Sequence, residues 1–81
     1  MYCTASCPFC HSAERLLVGQ GAVIEKVRVD LEPSRRAEMA QRSGRRTVPQ
    51  IWIGSRHVGG YEDLYALERE GKLSPLLTAT T

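Results

Sequence analysis

The sequence predicts an α/β protein, and three observations carry that expectation. Val23, Val27 and Val29 fall on one face of a period-two stretch, with Lys26, Arg28 and Asp30 on the other, which reads as a strand set between two helical stretches. Val48-Pro49-Gln50-Ile51-Trp52-Ile53 reads as an apolar strand entered through a proline. Gly54-Ser55 is then a two-residue, glycine-first hairpin loop that returns the chain through Arg56-His57-Val58. An early parallel β-α-β unit followed by a late hairpin implies a small mixed sheet with helices on its faces.

Each element has a local reason. A short first strand at Tyr2-Cys3 leads into the turn-like Thr4-Ala5-Ser6. Pro8 suits the first position of a helix, because its φ is already helical and its missing N–H would be unpaired there. Ala13, Leu16 and Leu17 recur at helical spacing, and Gly19 or Gly21 ends the run. Pro33-Ser34 open a second helix, over about Arg35 to Ser43, with Gly44 as its C-terminal cap. Only Ala37, Met39 and Ala40 in it are there to be buried, so it is expected to be mostly exposed. In the later strand Ile51 and Ile53 face one side and Trp52 the other, which suits a sheet covered on both faces. Gly59-Gly60 break the chain, Tyr61 to Glu70 form a helix with Leu64 and Leu67 inward, and Gly71 lies beyond its end. The order is strand, helix, strand, helix, strand, strand, helix.

The chain has 81 residues, 42% of them hydrophobic and 25% charged, the balance of an ordinary globular protein and of one domain over 1–81. A chain this short buries only about 60% of the surface that it exposes when unfolded, so its core is modest. No apolar run approaches about 18 residues, which argues against a membrane span. Eleven Lys and Arg against nine Asp and Glu leave +2, too little to imply nucleic-acid or lipid binding. Nothing before the first cysteine reads as a secretory leader, so the cytoplasm is the expected compartment.

All three cysteines, Cys3, Cys7 and Cys10, stand in the first ten residues. An odd count crowded at one end is no disulfide framework and points to redox or metal chemistry. Cys7-Pro8-Phe9-Cys10 is a C-x-x-C at a helix start, where two residues three apart lie over a single turn and their sulfurs can close a small disulfide. Unpaired N–H groups and the positive end of the helix dipole stabilise a thiolate at Cys7. Cys10, further into the turn, is expected to be more buried and less acidic. The roles are therefore unequal: Cys7 attacks and Cys10 resolves.

Four other readings compete. Two thiols that merely pack fit poorly with a proline and a helix start between them. A zinc site wants four ligands, and no second pair is present. Cys7-x-x-Cys10-His11 matches the c-type haem pattern, but Met39 is the only internal methionine to serve as a distal ligand, and His11 reads better as a helix-surface residue. The spacing Cys3-x3-Cys7-x2-Cys10 matches a radical-SAM cluster motif, for which 81 residues leave no room.

With these motifs placed, nearly the whole chain resembles a glutaredoxin. The resemblance rests on Tyr2 with Cys7-Pro8-Phe9-Cys10, on Thr47-Val48-Pro49-Gln50, and on Gly59-Gly60-Tyr61-Glu62-Asp63-Leu64, in that order. It implies a thioredoxin fold with a four-stranded mixed sheet flanked by three helices. It implies glutathione as co-substrate, no metal, and reduction of protein disulfides and glutathione mixed disulfides by a Cys7/Cys10 pair. Phe9, Thr47, Val48, Pro49, Gly60, Tyr61, Glu62 and Asp63 are the glutathione-binding positions it implies. In the family the proline matching Pro49 is cis, presenting the Val48 backbone to an extended peptide. The resemblance implies that the γ-glutamyl carboxylate sits near the Glu62 and Asp63 backbone and that the Asp63 side chain meets the ammonium group. Arg35, Arg36, Arg42, Arg45 and Arg46 read either as a positive rim or as a solvated face, with Arg36 and Arg45 the ligand candidates among them. Implied partners are glutathionylated or disulfide-containing proteins, with ribonucleotide reductase a candidate client, met by a monomer.

The chain departs from the family in three places. Phe9 stands where Tyr is usual, Thr4 stands where many members carry Lys, and Cys3 is an extra thiol. Thr4 leaves more of the thiolate's stabilisation to the helix dipole. It also leaves open a glutaredoxin-like electron donor reduced by thioredoxin reductase, against which the Gly-Gly-x-x-Asp segment argues. A second alternative is an iron–sulfur cluster held between two chains by their Cys7 residues and two glutathiones, an arrangement that Pro8 disfavours.

Overall fold

The computed structural model describes residues 1–79. In chain order they form β1 (Tyr2–Cys3), α1 (Pro8–Gly19), β2 (Val27–Arg28), α2 (Pro33–Ser43), β3 (Ile51–Ile53), β4 (Arg56–Gly59), α3 (Tyr61–Arg69) and α4 (Leu73–Ala79). Helix punctuation follows the sequence closely. Pro8 and Pro33 open α1 and α2, and Gly44, at φ 73°, closes α2 with its N–H on the Ala40 carbonyl. At φ 83° and 70°, Gly21 and Gly71 turn the chain just past the ends of α1 and α3.

The strands pair as two ladders. β1 runs parallel to β2, with Tyr2 opposite Val27 and Cys3 opposite Arg28. β3 runs antiparallel to β4, with Trp52 opposite His57, Ile53 opposite Arg56, and a bulge between Ile51 and Trp52. One isolated antiparallel bridge, Tyr2 to Gln50, lies between the ladders, with N–H to O distances of 2.9 and 3.2 Å. The architecture is thus α/β and thioredoxin-like, with two two-stranded sheets and four helices. This corrects the expectation of a single four-stranded sheet flanked by three helices. β1 has only two residues, and a single bridge joins it to the entry of β3.

Two smaller corrections concern β2 and the C-terminal segment. β2 covers only Val27–Arg28, and Val23 is fully exposed at 101%. Before Glu25 the even-numbered Ala22 and Ile24 turn inward; after it the odd-numbered Val27 and Val29 do, so the valine alternation changes phase within the segment. α4 was not expected. Its Leu73 is fully buried, and Leu76 and Leu77 pack on the core at the i+3 and i+4 spacing of an amphipathic helix.

The core has two parts. Ala13 and Leu17 of α1, Ile51 and Ile53 of β3, Leu64 of α3 and Leu73 of α4 form one cluster. Tyr2, Val29 and Met39 form the other, with Val27, Val48 and Trp52 packed against it. Ile51 and Ile53 therefore face one cluster and Trp52 the other, as their alternation predicts. Each fully buried aliphatic side chain contributes roughly 1.5–3 kcal/mol. Met39 alone is fully buried on α2, so that helix is mostly exposed, as expected. Among the described residues no helix is long and apolar enough to cross a membrane.

Candidate active site

Cys7 is the N-cap of α1. Its backbone is extended, at φ −93° and ψ 108°, and its Sγ accepts the N–H of Cys10 at 3.2 Å. A helix start leaves its first N–H groups without partners inside the helix, and here a sulfur takes one of them, where serine or aspartate usually does. On its other side Sγ stands 3.6 Å from the Val48 carbonyl oxygen, within reach of a weak S–H hydrogen bond. Cys7 is half-buried, whereas Cys10 is 3% exposed. Burial, reinforced by its hydrogen bond with Cys7, pushes the Cys10 thiol up to about 12. All three cysteines are free thiols, and burial likewise pushes the Cys3 thiol up.

The loop that delivers Cys7 is braced at Ala5. Its N–H donates to Asp30 Oδ2 at 3.3 Å, and its carbonyl oxygen is 3.0 Å from His11 Nε2. Arg28 holds the Asp30 carboxyl well below the usual carboxylate range. His11 is exposed and serves this loop, in line with its reading as a helix-surface residue.

Beside Cys7 lies a cleft of about 210 Å³. Its lining is Phe9, Arg45, Thr47, Val48, Pro49, Gly60, Tyr61, Glu62 and Asp63, so it gathers all eight implied glutathione-binding positions and adds Arg45. They come from three separate parts of the chain: the first turn of α1, the segment before β3, and the start of α3. The Val48–Pro49 bond is cis. Of the two arginines singled out, Arg45 lines the cleft and Arg36 does not.

Asp63 organises the cleft's charged end. Its Oδ2 accepts the Gly60 N–H at 2.9 Å and pairs with Arg45 Nη1 at 2.9 Å. The Arg45 guanidinium first, and the Gly60 N–H second, hold the carboxyl below its usual range. Gly59 has φ 115°, and a Cβ there would run into the Asp63 carboxylate. The nearest atom to a Cβ on Gly60 would be the Pro49 carbonyl oxygen, at 3.5 Å, an ordinary contact. Of the glycine pair, Gly59 is the one that the structure requires.

Gln50 and His57 form a support behind this wall that was not singled out from sequence. Gln50 is fully buried; its Nε2 donates to the Thr47 carbonyl oxygen at 3.0 Å and lies 3.3 Å from Thr47 Oγ1. Its Oε1 is 2.9 Å from His57 Nε2, which is therefore the protonated, donating nitrogen. The signal was present in Thr47-Val48-Pro49-Gln50: a polar side chain at the entry to a buried strand needs partners. Among the described residues no three His, Cys, Asp or Glu side chains gather to hold a metal ion.

A helix-start C-x-x-C on this fold, beside a cleft built from backbone edges and a charged pair, defines a class: thiol–disulfide oxidoreductases of the thioredoxin-like fold. Comparison with known proteins supplies the family. The glutaredoxin family model matches residues 1–58. The chain is 52% identical over 79 residues to a glutaredoxin of Pseudomonas aeruginosa, covering 98% of this chain and 94% of that one. It is 47% identical over 77 residues to glutaredoxin 3 of Escherichia coli, covering 95% and 93%. Among solved structures, the buckwheat glutaredoxin–glutathione complex superposes with a TM-score of 0.91 at 32% identity, over 98% of this chain and 74% of that one. The glutaredoxin of Brucella melitensis gives 0.86 at 51% identity, over 99% and 87%. The chain belongs to the glutaredoxin family, and its activity is glutathione-dependent thiol–disulfide oxidoreduction through a cysteine-containing site.

Proposed function

We propose that Cys7 is the attacking thiol, Cys10 the resolving thiol, and the adjoining cleft the seat of glutathione. The observation that carries this reading is the asymmetry of the pair. Cys7 is half-exposed and joined through Val48 to the cleft wall, while Cys10 is buried with its thiol pushed up to about 12. Glutathione, seen bound in the buckwheat relative, is a tripeptide that suits a wall made of the Val48 backbone. Tyr61, Glu62 and Asp63 open α3 against the same cleft, where first-turn N–H groups favour a carboxylate. Asp63 takes the ammonium group, sharing its carboxylate with Arg45. Phe9, Thr47, Pro49 and Gly60 complete the walls.

In the monothiol route the Cys7 thiolate attacks the glutathione sulfur of a mixed disulfide. A Cys7–glutathione disulfide forms, the old S–S bond breaks, and the substrate leaves as a thiolate that takes up a proton. A second glutathione thiolate then attacks the bound glutathione sulfur, releasing glutathione disulfide and regenerating Cys7. In the dithiol route Cys7 attacks a protein disulfide, and Cys10, deprotonated as it reacts, attacks Cys7 Sγ. The Cys7–Cys10 disulfide that results is reduced by two glutathiones. By the family resemblance, the reading extends to glutathionylated and disulfide-bearing clients, ribonucleotide reductase among them. It extends also to a monomer acting in the cytoplasm, where glutathione keeps thiols reduced.

The test couples NADPH consumption to glutathione, glutathione reductase and a small glutathione mixed disulfide. Cys7→Ser is expected to abolish turnover, and Cys10→Ser to keep it. Deglutathionylation by Cys7→Ser would overturn the assignment. Turnover through thioredoxin reductase alone would remove glutathione from the cleft.

A further inference from the structure

Three aromatic rings stand in a row that starts in the cleft and leaves it. Phe9 and Tyr61 lie 6.0 Å apart at 29°, and Tyr61 and Tyr65 lie 6.0 Å apart at 28°. Tyr61 and Tyr65 are one helical step of four apart on α3, so their rings share a face. Phe9 and Tyr61 line the cleft; Tyr65 does not. Phe9 is 58% exposed and Tyr65 47%. The core makes no demand for a ring at Tyr65, because α3 faces it through Leu64, Leu67 and the partly buried Tyr61. The remaining large exposed apolar residues, Val18, Val23 and Leu31, sit on other segments. Singly exposed apolar residues are ordinary, but a continuous row that ends at a reactive thiol is a surface with a use.

We propose that Tyr65 is a subsite for polypeptide substrates: it stacks an apolar or aromatic side chain of the client's own chain, a few residues from the disulfide cysteine. This deepens the reading of Cys7 as the attacking thiol and rests on it. A client disulfide must come to Cys7, two residues before Phe9, and where glutathione holds Phe9 and Tyr61, Tyr65 is the ring of the row left to the client's chain. Two ring-to-ring steps of 6.0 Å place Tyr65 within the reach of about three to four residues of extended chain from Phe9. Glutathione has its cysteine in the middle and only one residue on each side, and Tyr65 lies outside the cleft that seats it. The row therefore separates two substrate classes that share one nucleophile. Small glutathione mixed disulfides use the cleft alone, and glutathionylated or disulfide-bearing polypeptides also use Tyr65.

Five substrates test this with the full chain: a small glutathione mixed disulfide, and four glutathionylated decapeptides that carry Phe or Ala about four residues before or after the cysteine. The native chain is expected to prefer a Phe peptide by roughly three- to tenfold in kcat/KM, the range of one aromatic stacking contact. Tyr65→Ala is expected to erase that preference, Tyr65→Phe to keep it, and both to leave the small mixed disulfide unchanged. Equal turnover of Phe and Ala peptides by the native chain, on both sides, would overturn the proposal. So would a Tyr65→Ala loss of equal size on every substrate, which would mark a structural role. Failure of the underlying assignment is separately visible, as small-substrate turnover that survives Cys7→Ser.

Discussion

Two recesses of the molecule differ, and the smaller one adjoins the chemistry. The larger, about 650 Å³, runs between α2, β3 and the segment 20–25, while the cleft beside Cys7 holds about 210 Å³. The groove's two arginines are occupied within it. Arg42 donates to the Tyr2 hydroxyl at 2.8 Å and lies 4.5 Å over the Trp52 ring, and Arg35 pairs with Glu38 at 3.1 Å. The cleft is walled instead by a backbone edge at Val48, a helix start, and an exposed ion pair that an incoming ligand can share. A site is marked by groups whose bonding capacity is left open, and volume alone does not mark it.

This contrast can be broken most sharply at the thiols. With its thiol pushed up to about 12 by burial, Cys10 is held protonated at neutral pH, and it is 3% exposed. Alkylation with iodoacetamide, followed by peptide mass spectrometry, should modify Cys7 at least a hundredfold faster. Comparable rates at both sites would end the assignment of unequal roles.

Backbone strain gives the next effect. Gly59→Ala puts a Cβ at φ 115° into the Asp63 carboxylate, and should cost about 2–3 kcal/mol in urea unfolding while raising the KM for glutathione. In the groove, Arg42→Met removes a hydrogen bond and a cation–π contact and should cost about 1 kcal/mol. Its kcat/KM with the small mixed disulfide should stay at the native value; a fall would erase the distinction between the two recesses.

The smallest effect belongs to Asp63. Its carboxyl is held below the ordinary value in the folded chain, so the stability it contributes is fully present above about pH 3.9, the unfolded value. That contribution is lost as the pH falls through the lower folded value. The pair is nearly half exposed, so Asp63→Asn should cost no more than about 1 kcal/mol at neutral pH. Native and variant stabilities should converge towards the acid end of that range.

Much of the site was legible because its residues are marked by type: a C-x-x-C with proline, a strand-opening proline, and an acid in the first turn after paired glycines. Arg45 could be singled out but not separated from Arg36, because sequence does not say which arginine a loop swings towards Asp63. Strand extent was less legible. A valine pattern cannot show that the alternation changes phase at Glu25, nor that Gln50 meets Tyr2 in one isolated bridge. α4 was legible in principle, since Leu73, Leu76 and Leu77 carry helical spacing beyond Gly71. Gln50 shows the opposite difficulty: its three contacts span Thr47 and His57, and only the folded chain brings them together.

The N-cap of α1 ties redox poise to folding. The sulfur that accepts the Cys10 N–H is also one of the atoms that changes bonding when the pair is oxidised. Any difference in how well thiol, thiolate and disulfide sulfur end the helix enters the folding free energy of each form. It enters with equal size the equilibrium between those forms in the folded chain, relative to an unstructured peptide with the same two cysteines. Reduction potential and unfolding midpoint are thus two sides of one thermodynamic cycle. A substitution in the first turn of α1 that stabilises the reduced form over the oxidised one must make the pair more oxidising by the same free energy, at about 30 mV per 1.4 kcal/mol.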